Sequence, residues 1–139
     1  MRRPFFRRFP PFPKRTRVVA WAKWAAAQPD AAKSYLYGGV PGIGTGTHTD
    51  CSGFVLAVYR KVGIELPRTS ELQWSQAPEH PAIAHRGDLV FFNYEGPHSH
   101  VGIHCYPDSM IGDQHTGSGI VKVPIDHEHL DGRASWFKT

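Results

Sequence analysis

Cysteine is scarce in this chain: there are two among 139 residues, Cys51 and Cys105. Two cysteines make no disulfide framework, so a hydrophobic core has to hold the fold. No apolar run is long enough to span a bilayer, and none forms the shorter core of a cleaved signal peptide. Negative charge is missing from the first stretch, where Arg2, Arg3, Arg7, Arg8, Lys14, Arg15 and Arg17 are interleaved with Phe5, Phe6, Phe9 and Phe12. The formal net charge is +4, yet the rest of the chain is slightly acidic, so the basicity belongs to one end. Pro4, Pro10, Pro11 and Pro13 disfavour helix there. Residues 1–17 therefore read as a flexible basic extension, of a kind that attracts an anionic envelope polymer or membrane surface. Charge and aromatic residues alone do not support a nucleic-acid partner, and none is expected.

With 40% hydrophobic and 20% charged residues, the remainder, 18–139, suits one globular domain. There is no internal repeat. Val18 to Ala27 is rich in helix formers and stops before Pro29, with Trp21 and Trp24 turned inward. A Gly- and Thr-dense loop leads to Asp50, a good N-cap for a helix carrying Phe54, Val55, Val58, Tyr59 and Val62 at helical spacing and ending near Gly63. Ser70-Glu71-Leu72-Gln73 fits a capping box. The second half changes period. Asp88 to Phe92, His100 to Tyr106, Met110-Ile111 and Ile120 to Ile125 read as strands, and Ala134 to Lys138 as a last edge strand. Helices first and an antiparallel sheet afterwards make an α+β layout.

Within that layout, Cys51 follows the cap Asp50 at a helix start, and His100 heads an apolar strand. A nucleophile and a base on separate elements are what a cysteine hydrolase needs. A helix N-terminus lowers a thiol's pKa, and a neighbouring imidazolium lowers it further, so Cys51 is expected to be activated as thiolate. Cys105 lies in an apolar run and reads as a small buried hydrophobe, with no Cys51–Cys105 disulfide expected. His98, His100 and His104 would share a strand face, but no zinc site is expected, because Cys51 already accounts for His100. His98 reads as a loop residue at the cleft rim, His115 as a surface turn residue, and His127 and His129 as solvated.

Five blocks in order carry a resemblance. Tyr35-x-Tyr-Gly-Gly, Asp50-Cys-Ser-Gly-Phe-Val, Leu66-Pro-Arg-Thr-Ser, Gly87-Asp-Leu-Val-Phe-Phe and His100-Val-Gly-Ile resemble the NlpC family of cell-wall cysteine peptidases. The resemblance covers roughly Val18 to Lys138 and implies a papain-like α+β fold. It implies hydrolysis of amide bonds in peptidoglycan stem peptides, typically beside D-glutamate, with no metal or organic cofactor. By the same resemblance Cys51 is the nucleophile, His100 the base and Tyr35 an oxyanion donor. Asp50 and Ser52 would help hold the substrate's amine end, and Arg68, Thr69 and Ser70 would lie beside the cleft. A monomer acting at the bacterial cell wall is expected; without a leader, a phage lysin, a virion-associated protein or another export route would fit.

The chain departs from the family pattern at one place. The polar residue that normally orients the imidazole falls on Gly112, which has no side chain. A bulge at Gly112 would bring in Asp113, which is favoured because a carboxylate best supports an imidazolium. Gln114 shares the strand face of Gly112 and is the alternative; a water or backbone carbonyl is a third. The gap leaves open a weakened, wall-binding module. A same-fold amidase or acyltransferase acting on another amide or thioester is the other rival.

Overall fold

The computed structural model describes residues 12–33, 35–39, 43, 48–115 and 118–137. The basic residues Arg2, Arg3, Arg7 and Arg8, and with them most of the expected extension, lie outside this set. The first element, α1 (Lys14–Ala26), begins ahead of the expected Val18. Pro13 occupies its N-cap: a proline opposes a helix interior but suits a helix start, where no N–H is required. Lys14 to Arg17 are thus helical and not part of a flexible arm. Arg15 donates to Asp88 Oδ1 at 2.7 Å and to the Arg86 carbonyl at 3.1 Å, and its guanidinium lies over the Phe137 ring. One of the charges assigned to the extension is therefore an anchor of the domain.

A short 3-10 turn (Ala31–Lys33) leads towards α2 (Cys51–Arg60), whose hydrophobic face is almost wholly buried. Gly63, at φ +82°, takes the chain past its end. The helix α3 (Ser70–Ser75) is capped by Thr69, whose hydroxyl accepts the Leu72 N–H at 3.3 Å, so the cap falls one residue before the expected Ser70.

Five strands follow: β1 (Leu89–Phe92), β2 (His100–Cys105), β3 (Ser109–Asp113), β4 (Ile120–Pro124) and β5 (Leu130–Ala134). They form one antiparallel sheet in the order β4-β3-β2-β1-β5. The last strand lies earlier in the chain than expected, because β5 pairs with β1 from Leu130 to Ala134. The α1 and α2 helices cover one face, where Phe54, Val55, Val58 and Tyr59 meet Leu89, Phe91, Val101, Ile103 and Ile111. Val90, Phe92, Met110 and Ile125 form a smaller cluster on the other face. Burial on both faces explains why β1 reads as an unbroken apolar run and not an alternating one. The α2 N-terminus and the head of β2 are brought together at one end of this packing.

Candidate active site

Asp50 builds the α2 end of the site. Its extended backbone starts the helix, and its Oδ1 accepts the Gly53 N–H at 2.8 Å, as an N-cap should. Cys51 becomes the first helical residue, half-buried and lining a cleft of about 680 Å³. The backbone N–H groups of Val101 and Ser52 point at its sulfur. Val101 directly follows His100, so this contact sets the head of β2 against the thiol. His100 is buried and lines the same cleft.

The His100 Nε2 lies 2.9 Å from Gln114 Oε1. An amide oxygen only accepts, so Nε2 carries the proton and Nδ1 keeps its lone pair. The structure puts Gln114, and not the favoured Asp113, against the ring, and the reason is register. The β3 strand has no bulge at this point: Gly112 pairs with Val121 and Asp113 with Ile120. Asp113 therefore faces away from Gln114 and is fully buried. Gly112 makes room for the substitute, since a Cβ there would lie 2.9 Å from Gln114 Oε1.

The electrostatics differ from the expectation of a resting thiolate. Burial pushes the Cys51 thiol up to about 11, with Asp50 and Asp113 adding to the rise, against the opposing N–H groups of Val101 and Ser52. Burial also pulls the His100 imidazole below its ordinary value of 6.5; the Gln114 bond resists this and His115 reinforces it. Desolvation thus outweighs the helix terminus, and the resting pair is a neutral thiol and a neutral imidazole.

Tyr35 lines the cleft beside Cys51, held by a bridge between its backbone and Thr49. Burial raises its phenol pKa, as do the charges of Cys51, Asp50, Asp113 and Glu95, so it stays a hydroxyl donor at neutral pH. Asp50, Ser52 and Arg68 are heavily engaged with one another. Arg68 Nη1 donates to Asp50 Oδ1 at 3.0 Å and to Ser52 Oγ at 2.8 Å, while Nη2 reaches the Gly39 carbonyl at 2.7 Å. Gly38 N–H also donates to Asp50 Oδ2 at 3.0 Å. Burial alone would raise the Asp50 carboxyl; Arg68 and the N–H groups of Gly53 and Gly38 outweigh it and hold the carboxyl below the usual range. Thr69 and Ser70 line the cleft next to this group.

Other residues were missed or misplaced by sequence reasoning. Tyr94, Glu95 and Ser99 line the wall on the His100 side, and His115 lines the cleft as well. The signal for the first three was weak: they lie in the connection between the strand ending at Phe92 and the strand headed by His100, to which the sequence attaches no site. His98 is not at the rim. It stacks on Trp74 at 4.0 Å, and its backbone N–H donates to Asp131 Oδ2 at 2.9 Å. The three histidines His98, His100 and His104 do not converge. Among the described residues, the group that could hold a metal ion is Asp126, Glu128 and His129, and none of these lines the cleft.

The NlpC/P60 family model matches residues 32–135. The chain belongs to the NlpC/P60 family. It is 42% identical over 109 residues to the protein named probable endopeptidase p60 from Listeria monocytogenes, covering 78% of this chain and 21% of that protein. It is 34% identical over 90 residues to a gamma-D-glutamyl-L-lysine dipeptidyl-peptidase from Bacillus subtilis, covering 62% of this chain and 29% of that protein. The chain thus spans about a fifth of the p60 protein's length. The solved structure of the peptidoglycan hydrolase RipB from Mycobacterium tuberculosis superimposes with a TM-score of 0.72 at 25% identity, covering 100% of this chain and 74% of that one. The α+β architecture is therefore the NlpC/P60 fold, with the sheet and helices in the roles described above.

Proposed function

We propose that this chain is a cysteine peptidase that cleaves amide bonds in peptidoglycan stem peptides at the bacterial cell wall. The observation that carries this reading is the His100–Gln114 bond at 2.9 Å. It fixes the imidazole tautomer whose free nitrogen can accept a proton, in the cleft that also holds the Cys51 sulfur. The names of the relatives support the substrate class: one is a peptidoglycan hydrolase, and another is named a gamma-D-glutamyl-L-lysine dipeptidyl-peptidase.

Because the resting pair is neutral, attack and proton transfer are coupled. As the Cys51 sulfur bonds to the carbonyl carbon, its proton passes to His100 Nδ1. The oxyanion is met by the Tyr35 hydroxyl and by the Cys51 N–H at the start of α2, a donor that the Asp50 cap leaves over. One such donor is worth about 2.7–4 kcal/mol of barrier. The imidazolium, steadied by Gln114, gives its proton to the leaving amine, and the C–N bond breaks to leave a thioester. His100 then takes a proton from the attacking water; as the C–S bond breaks the imidazolium returns that proton to the departing Cys51 sulfur, and the product acid loses its remaining proton to solvent and leaves as a carboxylate. Asp50, Ser52 and Arg68 line the acyl side as a preformed polar group for the substrate's amine end.

Mass spectrometry of digested peptidoglycan tests the reading. The wild type should release peptides with new amine and carboxyl termini, and folded Cys51→Ala should release none. Equal digestion by the two proteins would end it.

A further inference from the structure

The base His100 stands at an end of the sheet. It is the first residue of β2, and its backbone pairs with Phe92, the last residue of β1. On its other side, the register of β2 with β3 starts at Ile103. Beside it, the β1–β5 register shifts between Phe91 and Phe92. The last rung of a ladder frays first, so the base needs a hold from beyond the ladder. His98, two residues earlier, is gripped from three directions. Its backbone is left-handed, at φ +54°, a conformation uncommon for a residue with a side chain and kept where the surroundings impose it. Its ring stacks on Trp74 of α3 at 4.0 Å with 12° between planes, and meets Phe91 edge-on at 6.0 Å. Its N–H donates to Asp131 Oδ2 on β5 at 2.9 Å. Each ring nitrogen faces a carboxylate: Nδ1 lies 3.5 Å from Glu71 Oε2, and Nε2 lies 4.0 Å from Asp131 Oδ2.

The stack is backed as well. The His80 ring packs against Trp74 at 4.4 Å, and its Nε2 donates to the Trp74 carbonyl at 2.7 Å. Gly132 on β5 lets the pair settle on the strand: a Cβ there would lie 2.7 Å from Trp74 Nε1 and 3.0 Å from His98 Cδ2. Trp74, His80, His98, Asp131 and Gly132 all lie outside the lining of the cleft. They join α3, β5 and the segment that leads into β2. We propose that His98 is a positioning residue for the base: stacked on Trp74 and tied to Asp131, it holds the head of β2 so that the His100 ring keeps its bond to Gln114. This role rests on the reading of Cys51 and His100 as the catalytic pair, and it is separate from substrate recognition.

Two substitutions disturb the stack from opposite sides. His98→Asn removes the ring and keeps a residue that tolerates the left-handed backbone. Gly132→Ala presses on the stack from β5. Each should lower kcat on a purified muropeptide about 10- to 100-fold, the cost of a small misplacement of a catalytic group, and leave KM within about twofold. His98→Phe restores a flat ring over Trp74 and should recover most of the lost kcat. The ring nitrogens of His100, followed by nitrogen NMR, report its position without turnover. In the wild type they should give the well-separated signals of a single tautomer with the proton on Nε2. In His98→Asn and Gly132→Ala the signals should draw together as the freed ring exchanges tautomers. Circular dichroism confirms each fold. A kcat within about twofold of wild type, a loss carried by KM, or ring signals that stay in place in a folded variant overturns the role. If His98→Asn does not fold, Gly132→Ala decides by the same measurements. If the wild type cleaves nothing, the peptidase reading fails, and the His100 signals still decide the positioning.

Discussion

Gln114 is the residue on which the proposed chemistry can be tested most sharply. Its amide oxygen sits 2.9 Å from His100 Nε2, and in the transition state that ring becomes an imidazolium. A hydrogen bond to a charged group is worth about 1.5–3 kcal/mol. Gln114→Ala should therefore lower kcat by about 10- to 150-fold, with a smaller change in KM, because the bond matters most once the ring is charged. The pH profile separates orientation from mere packing. His100 already titrates below 6.5 because burial disfavours its charged form, and the Gln114 bond partly offsets this. The acid limb of kcat/KM should thus lie below pH 6.5 in the wild type. It should move lower still in Gln114→Ala and higher in Gln114→Glu, where a carboxylate favours the imidazolium. The assay is hydrolysis of a purified muropeptide across pH 4–8, with circular dichroism confirming each fold. Activity within twofold of wild type for Gln114→Ala, with an unmoved acid limb, would refute the assignment.

Two further outcomes follow from the electrostatics and packing. Iodoacetamide should modify Cys51 slowly at neutral pH, at a rate that climbs towards pH 11, because burial pushes the thiol up to about 11; a plateau near pH 8 would contradict this. The folded value is raised above the 9.0 of a free thiol, so the associated stability is present below pH 9 and is lost as pH rises through 11. Arg15→Ala should cost about 1.5–3 kcal/mol in urea unfolding, since it strips a charge-assisted bond from a carboxylate with no exposed surface; a loss under 0.5 kcal/mol would return Arg15 to a solvated role.

Much of this could be read before any coordinates. Asp50 announced a cap and Cys51 a helix start, because those preferences are local and depend on a few neighbouring residues. His100 was legible because it heads an apolar strand, and the ordering of the five blocks tied it to Cys51. What stayed hidden depends on contacts distant in sequence or on register. The sequence could not show that Arg15 reaches Asp88, so a helical turn was assigned to a flexible arm. A bulge and a regular strand at Gly112 are equally compatible with the residues; only the pairing of Asp113 with Ile120 decides that Gln114 meets the ring. The thiol's pKa went the wrong way because the helix terminus is visible in sequence and the depth of packing around the sulfur is not. Tyr94 and Glu95 were passed over because nothing in the connection between Phe92 and His100 tells which cavity it borders.

The donor that steadies the sulfur, Val101 N–H, belongs to the residue directly after His100. Thiol contact and imidazole are thus carried on a single peptide unit of the sheet. If β2 slides slightly against α2 as the molecule breathes or a ligand enters, both partners travel together, and their mutual alignment is spared errors that would accumulate across two independent loops.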